Sequence, residues 1–192
     1  MKVKNKPNWQ NLFLEMLMVM IGVLLALLVD EWREQRQIAE VVDLTEVRIL
    51  SEINENHERL QTYQQDIKER FSTLRNWRQA INPEKSFREQ SGFPGIPTVS
   101  LNDAAWSRAN SSDMTNFLDT NLIEEAHGLY ISNKIVMDSS DPLLDLIYNP
   151  MSWDPSQTIV AYNIVEDIFG EAISQVEQSL EAYDEFFVER SE

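Results

Sequence analysis

From Leu12 to Val29 the chain is apolar at almost every position, with one charge, Glu15, near the start and a lone Gly22 within the run. These 18 residues make about 27 Å of helix at ~1.5 Å each, near the ~30 Å thickness of a bilayer's hydrocarbon, so the pattern predicts a transmembrane helix over 12–29. Neither glycine nor proline occurs between Gly22 and Pro83, so nothing local stops that helix at the membrane, and a long helix is expected to continue over 30–81. There the rhythm changes. Ile53, Leu60, Ile67, Leu74 and Ile81 recur every seven residues, with Val42, Ile49, Tyr63 and Trp77 at the intervening seam. Asn56 and Arg70 interrupt the alternate positions and Glu46 an expected apolar one, which favours a helix packed on its own chain over an extended parallel coiled coil.

The stretch 82–100, NPEKSFREQSGFPGIPTVS, holds three prolines and two glycines and reads as a long surface connection. Helices are expected over 101–138. Ser100 fits an N-cap with Asp103 three residues on, opening a short helix through Ala109. A second helix is expected over Met114–Met137, kinked near Asp119, with Phe117, Leu118, Leu122, Ile123, Ala126, Tyr130 and Ile131 inward. The segment SSDPLLDLIYNPMSWDPS reads as turns, and Pro155 behind Asp154 opens a C-terminal helix over 155–189. In that helix Tyr162, Val165, Phe169, Ile173, Val176, Leu180, Tyr183 and Phe187 alternate three and four apart, and the helix is expected to lie antiparallel to residues 38–81. The fold class that follows is all-α: one N-terminal transmembrane helix continuing into an extramembrane antiparallel helical bundle over 30–192.

The flanks of the apolar run bear on its role. Trp9 and Trp32 stand 23 residues apart, about 35 Å along a helix, where interfacial aromatics at the two faces of a bilayer belong. A cleaved signal peptide is the competing reading of the basic start and apolar core, but Leu27 and Val29 occupy the positions before Asp30 where small residues would be needed. Lys2, Lys4 and Lys6 precede the run, while Arg33 and Arg36 follow it among Asp30, Glu31 and Glu34. The positive-inside rule then places residues 1–11 in the cytoplasm and the C-terminal domain outside it, the periplasm in a bacterial inner membrane. Within the run Glu15, Val19, Gly22 and Ala26 share one helical face. Two readings stand for it. It is a helix-association stripe, with small residues four apart admitting a partner span, or Glu15 is an interfacial carboxylate reaching headgroups.

Charge narrows the partners. The formal net charge of −16 argues against nucleic acid, whose phosphates need clustered Lys and Arg. Residues 154–192 carry ten acidic side chains against the single Arg190, so the basic stretch Lys68, Arg70, Arg75, Arg78, Lys85 and Arg88 is placed to sit opposite that helix; solvated faces are the simpler reading of both. With no cysteine, thiolate chemistry, disulfides and Cys-ligated metals are excluded.

Residues Glu15–Glu34, EMLMVMIGVLLALLVDEWRE, resemble the opening of a group of uncharacterised bacterial single-span membrane proteins, domains of unknown function, whose span reads E, apolar residues, G-V-L-L-A-L, then polar-Trp-polar. LTEVRILSEINENHERL resembles their first extramembrane helix. In AWSRANSSDMTNFLDTNLIEEAHGLY, the residues Trp106, Phe117, Leu118, Asp119, Leu122 and Tyr130 match a W…L-x-D-x-x-L…Y pattern, with Ser111 and Ser112 where such proteins often have a glycine-containing turn. About half the chain is covered. The resemblance implies a helical inner-membrane protein and transfers no catalytic residues.

No catalytic, cofactor or metal assignment follows from the motifs. His57 lies beside Glu58 on a polar helix face, and Glu124 with His127 has the i, i+3 spacing of a di-iron bundle motif whose required second E-x-x-H copy does not occur. The pairs Glu124/Glu125, Glu166/Asp167 and Asp184/Glu185 diverge on a helix and read as solvated. The expectation is a non-enzymatic single-pass protein acting through protein–protein contact, as an accessory subunit of a membrane complex or as a homo-oligomer. The alternative is a periplasmic ligand-binding or sensory bundle signalling through a partner.

Overall fold

The computed structural model describes residues 9–95 and 97–190, and within them every regular element is a helix. Of the basic residues used for orientation, Lys2, Lys4 and Lys6 lie outside the described residues, and Arg33 and Arg36 lie on the first helix. Five α-helices follow in order: α1 (Trp9–Trp77), α2 (Ala104–Ser111), α3 (Thr120–Asp138), α4 (Asp141–Tyr148) and α5 (Thr158–Glu189). The chain divides into two units between Thr45 and Glu46, sixteen residues beyond the Val29–Asp30 position at which the apolar run ends. The reason lies in burial, since Ile49 is the first described side chain fully enclosed and those of residues 30–37 are all exposed.

α1 ends where proline chemistry requires. Its last turn tightens to a 3-10 turn at Arg78–Ala80, and Ile81 is extended, ahead of Asn82, whose helical conformation Pro83 disfavours. In the unit Glu46–Glu192, Ile53, Leu60, Ile67 and Leu74 are fully buried at the expected seven-residue spacing, whereas Ile81, past the helix end, is only half-buried. α5 runs antiparallel to this part of α1: His57 meets Asp184, Lys68 meets Glu177 and Arg75 meets Glu166. It is antiparallel to α3 as well, with Tyr183 on Asn133 and Arg190 on Glu125. α1 and α3 are therefore parallel, as the pairings of Glu52 with Tyr130 and of Tyr63 with Ser139 also require.

The buried stripe of α5 keeps a heptad rhythm, Tyr162, Phe169, Val176, Tyr183 on one row and Val165, Ala172, Ser179, Phe186 on the other. It differs from the expected stripe at two places: Ala172 and Phe186 are buried, and Ile173 and Phe187 are half-buried. Small Ala172 and Ser179 take buried positions in the second row, with the bulkier Ile173 at the edge, and the same row carries Phe186 inward in place of Phe187. Phe117 and Ile131, expected inward, are 56% and 50% exposed, because the chain breaks before α3 and sets a different face toward α5. Asp119 makes that break as the N-cap of α3, accepting from Asn121 N at 2.9 Å and Leu122 N at 3.1 Å. Before it stands a 3-10 turn, Met114–Phe117, entered through Asp113 at φ 55.

A parallel α1–α3 pair needs a connection that travels back along α1, and residues 91–95 and 97–102 provide it as an extended strap. Trp77 Nε1 donates to Ser91 O (2.7 Å), Arg70 to Pro94 O (2.8 Å), Tyr63 Oη to Pro97 O (3.3 Å), Arg59 to Ser100 O (3.0 Å) and Asn56 Nδ2 to Asn102 O (2.7 Å). The lengths agree: 21 residues of helix between Asn56 and Trp77 span about 32 Å, and the 11 positions from Ser91 to Asn102 can reach about 34 Å at ~3.1 Å each. Gly92 (φ 88) and Gly95 (φ 69) supply the left-handed backbone this path requires, and a Cβ on Gly92 would lie 3.4 Å from the Trp77 ring.

Three further boundaries differ from the sequence reading. α2 begins at Ala104 behind Asp103, not behind Ser100. α4 occupies part of the segment read as turns, with Pro142 tolerated in its first turn. Pro155–Gln157 form a 3-10 turn, so α5 starts at Thr158.

Candidate functional site

Glu15, Val19, Gly22 and Ala26 all fall on α1 and all are exposed. One described helix near the N-terminus is long and apolar enough to cross a membrane, and none of the described side chains in its apolar stretch is buried. A Cβ added to Gly22 would meet no atom within 4 Å, so the glycine answers no packing need inside this chain. Trp9 and Trp32 are exposed too, and the Arg36 guanidinium lies 5.5 Å over the Trp32 ring.

The bundle uses its charges more fully than their spacing suggested. Glu166 accepts from Arg75 at 3.1 Å and lies 3.6 Å from Arg78, and Lys68 reaches Glu177 at 2.7 Å, so part of the basic stretch does face the acidic helix. Arg70 instead turns to Asp66 and the strap, and the Arg88 guanidinium sits 4.0 Å over Trp153. Of the acidic pairs read as solvated, Glu125, Glu166 and Asp184 each have a cationic or histidine partner.

His57 is held by four contacts: Asp184 Oδ1 at 3.3 Å, Gln61 at 3.2 Å, the Tyr183 ring stacked at 5.5 Å and the Phe187 ring tilted at 5.3 Å. It opens onto a groove of about 830 Å³ between α1 and α5, whose wall carries Glu177, Glu181, Asp184, Glu185 and Glu189. His127 lies against Trp106, ring centroids 6.0 Å apart. Among the described residues no group of three His, Asp or Glu side chains is placed to hold a metal, and Glu124 with His127 is part of none.

The polar residue with the most elaborate surroundings was not singled out in the sequence. Glu52, 5% exposed, accepts from the Tyr130 hydroxyl at 2.6 Å and from Ala105 N and Trp106 N at 2.9 and 3.3 Å. The last two are first-turn amides of α2, which no cap on its own segment satisfies, so α1 caps α2 across the fold. Burial first, and then the bond to Glu52, push the Tyr130 phenol far above its ordinary range. One turn on, Tyr183 donates to Asn133 at 3.0 Å, and burial pushes its phenol up to about 12. The available signal for Glu52 was its place between Ile49 and Ile53 on the buried side of α1.

Compared with known protein families, with characterised proteins and with solved structures, the chain finds no match.

Proposed function

We propose that this is a non-enzymatic, single-pass membrane protein that works by protein–protein contact, as an accessory subunit of a membrane complex or as a homo-oligomer. The observation that carries this reading is the exposed, membrane-length face of α1 with Gly22 free of any packing role in its own chain. A lone anchor needs only apolar residues; a small residue followed four positions later by Ala26 lets a second helix approach closely, and Glu15 at the edge can take a donor from it. In this reading the chain belongs to the bacterial single-span group it resembles, sits in the inner membrane with a cytoplasmic N-terminus, and holds its bundle in the periplasm. The carboxylates of α5 that face the groove offer a surface to a basic partner.

Affinity purification from mild detergent, with in-cell crosslinking and mass spectrometry of what is recovered, tests the proposal. Recovery of a defined partner or a homo-oligomer is expected; monomer alone under both conditions would sink it. A second reading, ligand sensing by the bundle, is favoured by the groove at His57. It predicts a small molecule that raises the unfolding temperature of the intact chain but not of a His57→Ala variant.

A further inference from the structure

On α1 the side chains of Asn56, Tyr63, Arg70 and Trp77 recur every seven residues, and each donates to a main-chain carbonyl of the strap. Asn56 also accepts from Asn102 N. In these bonds the strap contributes main chain alone. Such contacts read the path of a backbone and leave side-chain identity open, which is how extended peptides are commonly taken up by proteins. The strap has the form of such a ligand. Pro94 and Pro97 stand three apart and carry no amide hydrogen, and Gly92 lets the chain lie against the Trp77 indole. An indole N–H and a tyrosine hydroxyl donating to main-chain carbonyls are donors that aromatic peptide-binding grooves use, here on a chain that Gly92 (φ 88) and Gly95 (φ 69) turn along its path.

Charge shows what the strap leaves unanswered. Beside it runs a groove of about 670 Å³ whose wall includes Glu55, Glu58, Arg59 and Asp66, the last already paired with Arg70 at 2.9 Å, so that the two glutamates leave it net acidic, while residues 91–102 carry no charged side chain at all. We propose that this face of α1 is a peptide-recognition face which the chain fills with its own strap, and that it takes in exchange an extended partner segment bearing prolines three apart and a basic residue for the acidic groove. The incoming segment repeats the main-chain bonds and adds a charge pair the strap lacks; against a tethered strap, whose effective concentration is on the order of mM, exchange is read at peptide concentrations of that order or in a chain whose strap is strained. This deepens the protein-contact reading by naming a second contact, one that does not pass through the membrane stripe.

The test uses the full chain in mild detergent and two fluorescent peptides, QSGFPGIPTVSLN and the same peptide with arginine in place of its threonine, the residue at Thr98, which lines the groove. The arginine peptide should bind about tenfold more tightly, the size of one charge-assisted bond, and lose that margin in high salt. Gly95→Ala strains the internal strap at φ 69, its Cβ making only an ordinary 3.7 Å contact with the Arg70 guanidinium, and should tighten both peptides; Trp77→Phe, which keeps a ring and removes the donor, should weaken both. Circular dichroism checks that the variants fold, and the unmodified chain carries the comparison by itself if Gly95→Ala does not. No binding by either peptide, or equal binding to Trp77→Phe, overturns the proposal, as does strap exchange between two copies of Gly95→Ala without peptide uptake. Peptide binding by a chain that stays monomeric in the membrane would leave this inference standing and remove the in-membrane one.

Discussion

The Glu52 carboxylate accepts the Tyr130 hydroxyl at 2.6 Å across 78 positions of sequence, and with its remaining capacity caps the N-terminus of α2. One side chain therefore ties α1, α2 and α3 together inside an apolar core. Removing it leaves three buried or half-buried donors without an acceptor. Glu52→Ala should cost about 3 kcal/mol, and Tyr130→Phe, which leaves the carboxylate one donor short, about 1.5–3 kcal/mol. The double variant should lose clearly less than the two losses added together, since each single change already breaks the shared bond. Urea unfolding of the four chains measures this; strict additivity would mean the two groups do not act as a pair.

Charge pairs line the α1–α5 seam, yet packing holds it. Lys68 and Glu177 are both about half exposed, so Glu177→Gln should change stability by less than about 1 kcal/mol. Phe169 is fully buried and stacks on Phe71 at 6.0 Å, so Phe169→Ala should cost about 3–5 kcal/mol. At roughly 2–4 °C per kcal/mol for a chain of this size, the second variant loses most of its thermal margin and the first almost none. Comparable losses in thermal melts would contradict this ranking.

What could be read from the residues was whatever depends on a local pattern, either an unbroken apolar length, as over Leu12–Val29, or a repeat. The spacing of Ile53, Leu60, Ile67 and Leu74 and the long C-terminal stripe announce helices because burial on one face imposes a period. What was not legible depends on partners far away in sequence. Asn56 and Arg70 look like defects in a heptad seam until the strap supplies the carbonyls they hold. Glu52 is one acidic residue among many until α2 and Tyr130 reach it. α4 was missed for another reason: Pro142 and Pro150 bracket it, and prolines that open a helix or follow its end look the same as prolines in turns.

Alkaline pH should loosen the bundle at its tyrosines. Folding raises the phenols of Tyr130 and Tyr183 above the ordinary 10.0, the latter to about 12, chiefly by burying them. A group whose pKa is higher folded than unfolded stabilises fully below the unfolded value. Its contribution is then lost as pH rises from about 10 through the folded value, because the unfolded chain ionises first. Stability should therefore be flat below pH ~10 in this respect and fall above it by up to ~1.4 kcal/mol per pH unit for each such tyrosine. Tyr130→Phe should show a shallower fall. Urea midpoints across this range, with tyrosinate absorbance followed in parallel, check the sign; tyrosines that ionise fully near pH 10 in the folded chain would contradict it.

In the apolar segment the decisive substitution is Gly22→Leu. Since a side chain at Gly22 meets nothing within its own chain, and leucine favours helix over glycine, the change should leave the isolated protein as stable as before or slightly more so. Any loss must then come from a second helix that the glycine had admitted. Interfaces of this kind depend on close backbone approach, so the expected loss of association is about 1 kcal/mol, roughly fivefold, in detergent or bilayer. Leu24 lies on a different face of the helix from Glu15, Val19, Gly22 and Ala26, and Leu24→Ala should leave association nearly unchanged. Glu15→Gln separates the two roles of the carboxylate. It should weaken association if Glu15 accepts a bond from the partner span, and should have no effect if Glu15 reaches only headgroups. Crosslinking yields and sedimentation in detergent, compared across the three variants, measure this; equal effects of Gly22→Leu and Leu24→Ala would reduce the stripe to an ordinary lipid-facing surface.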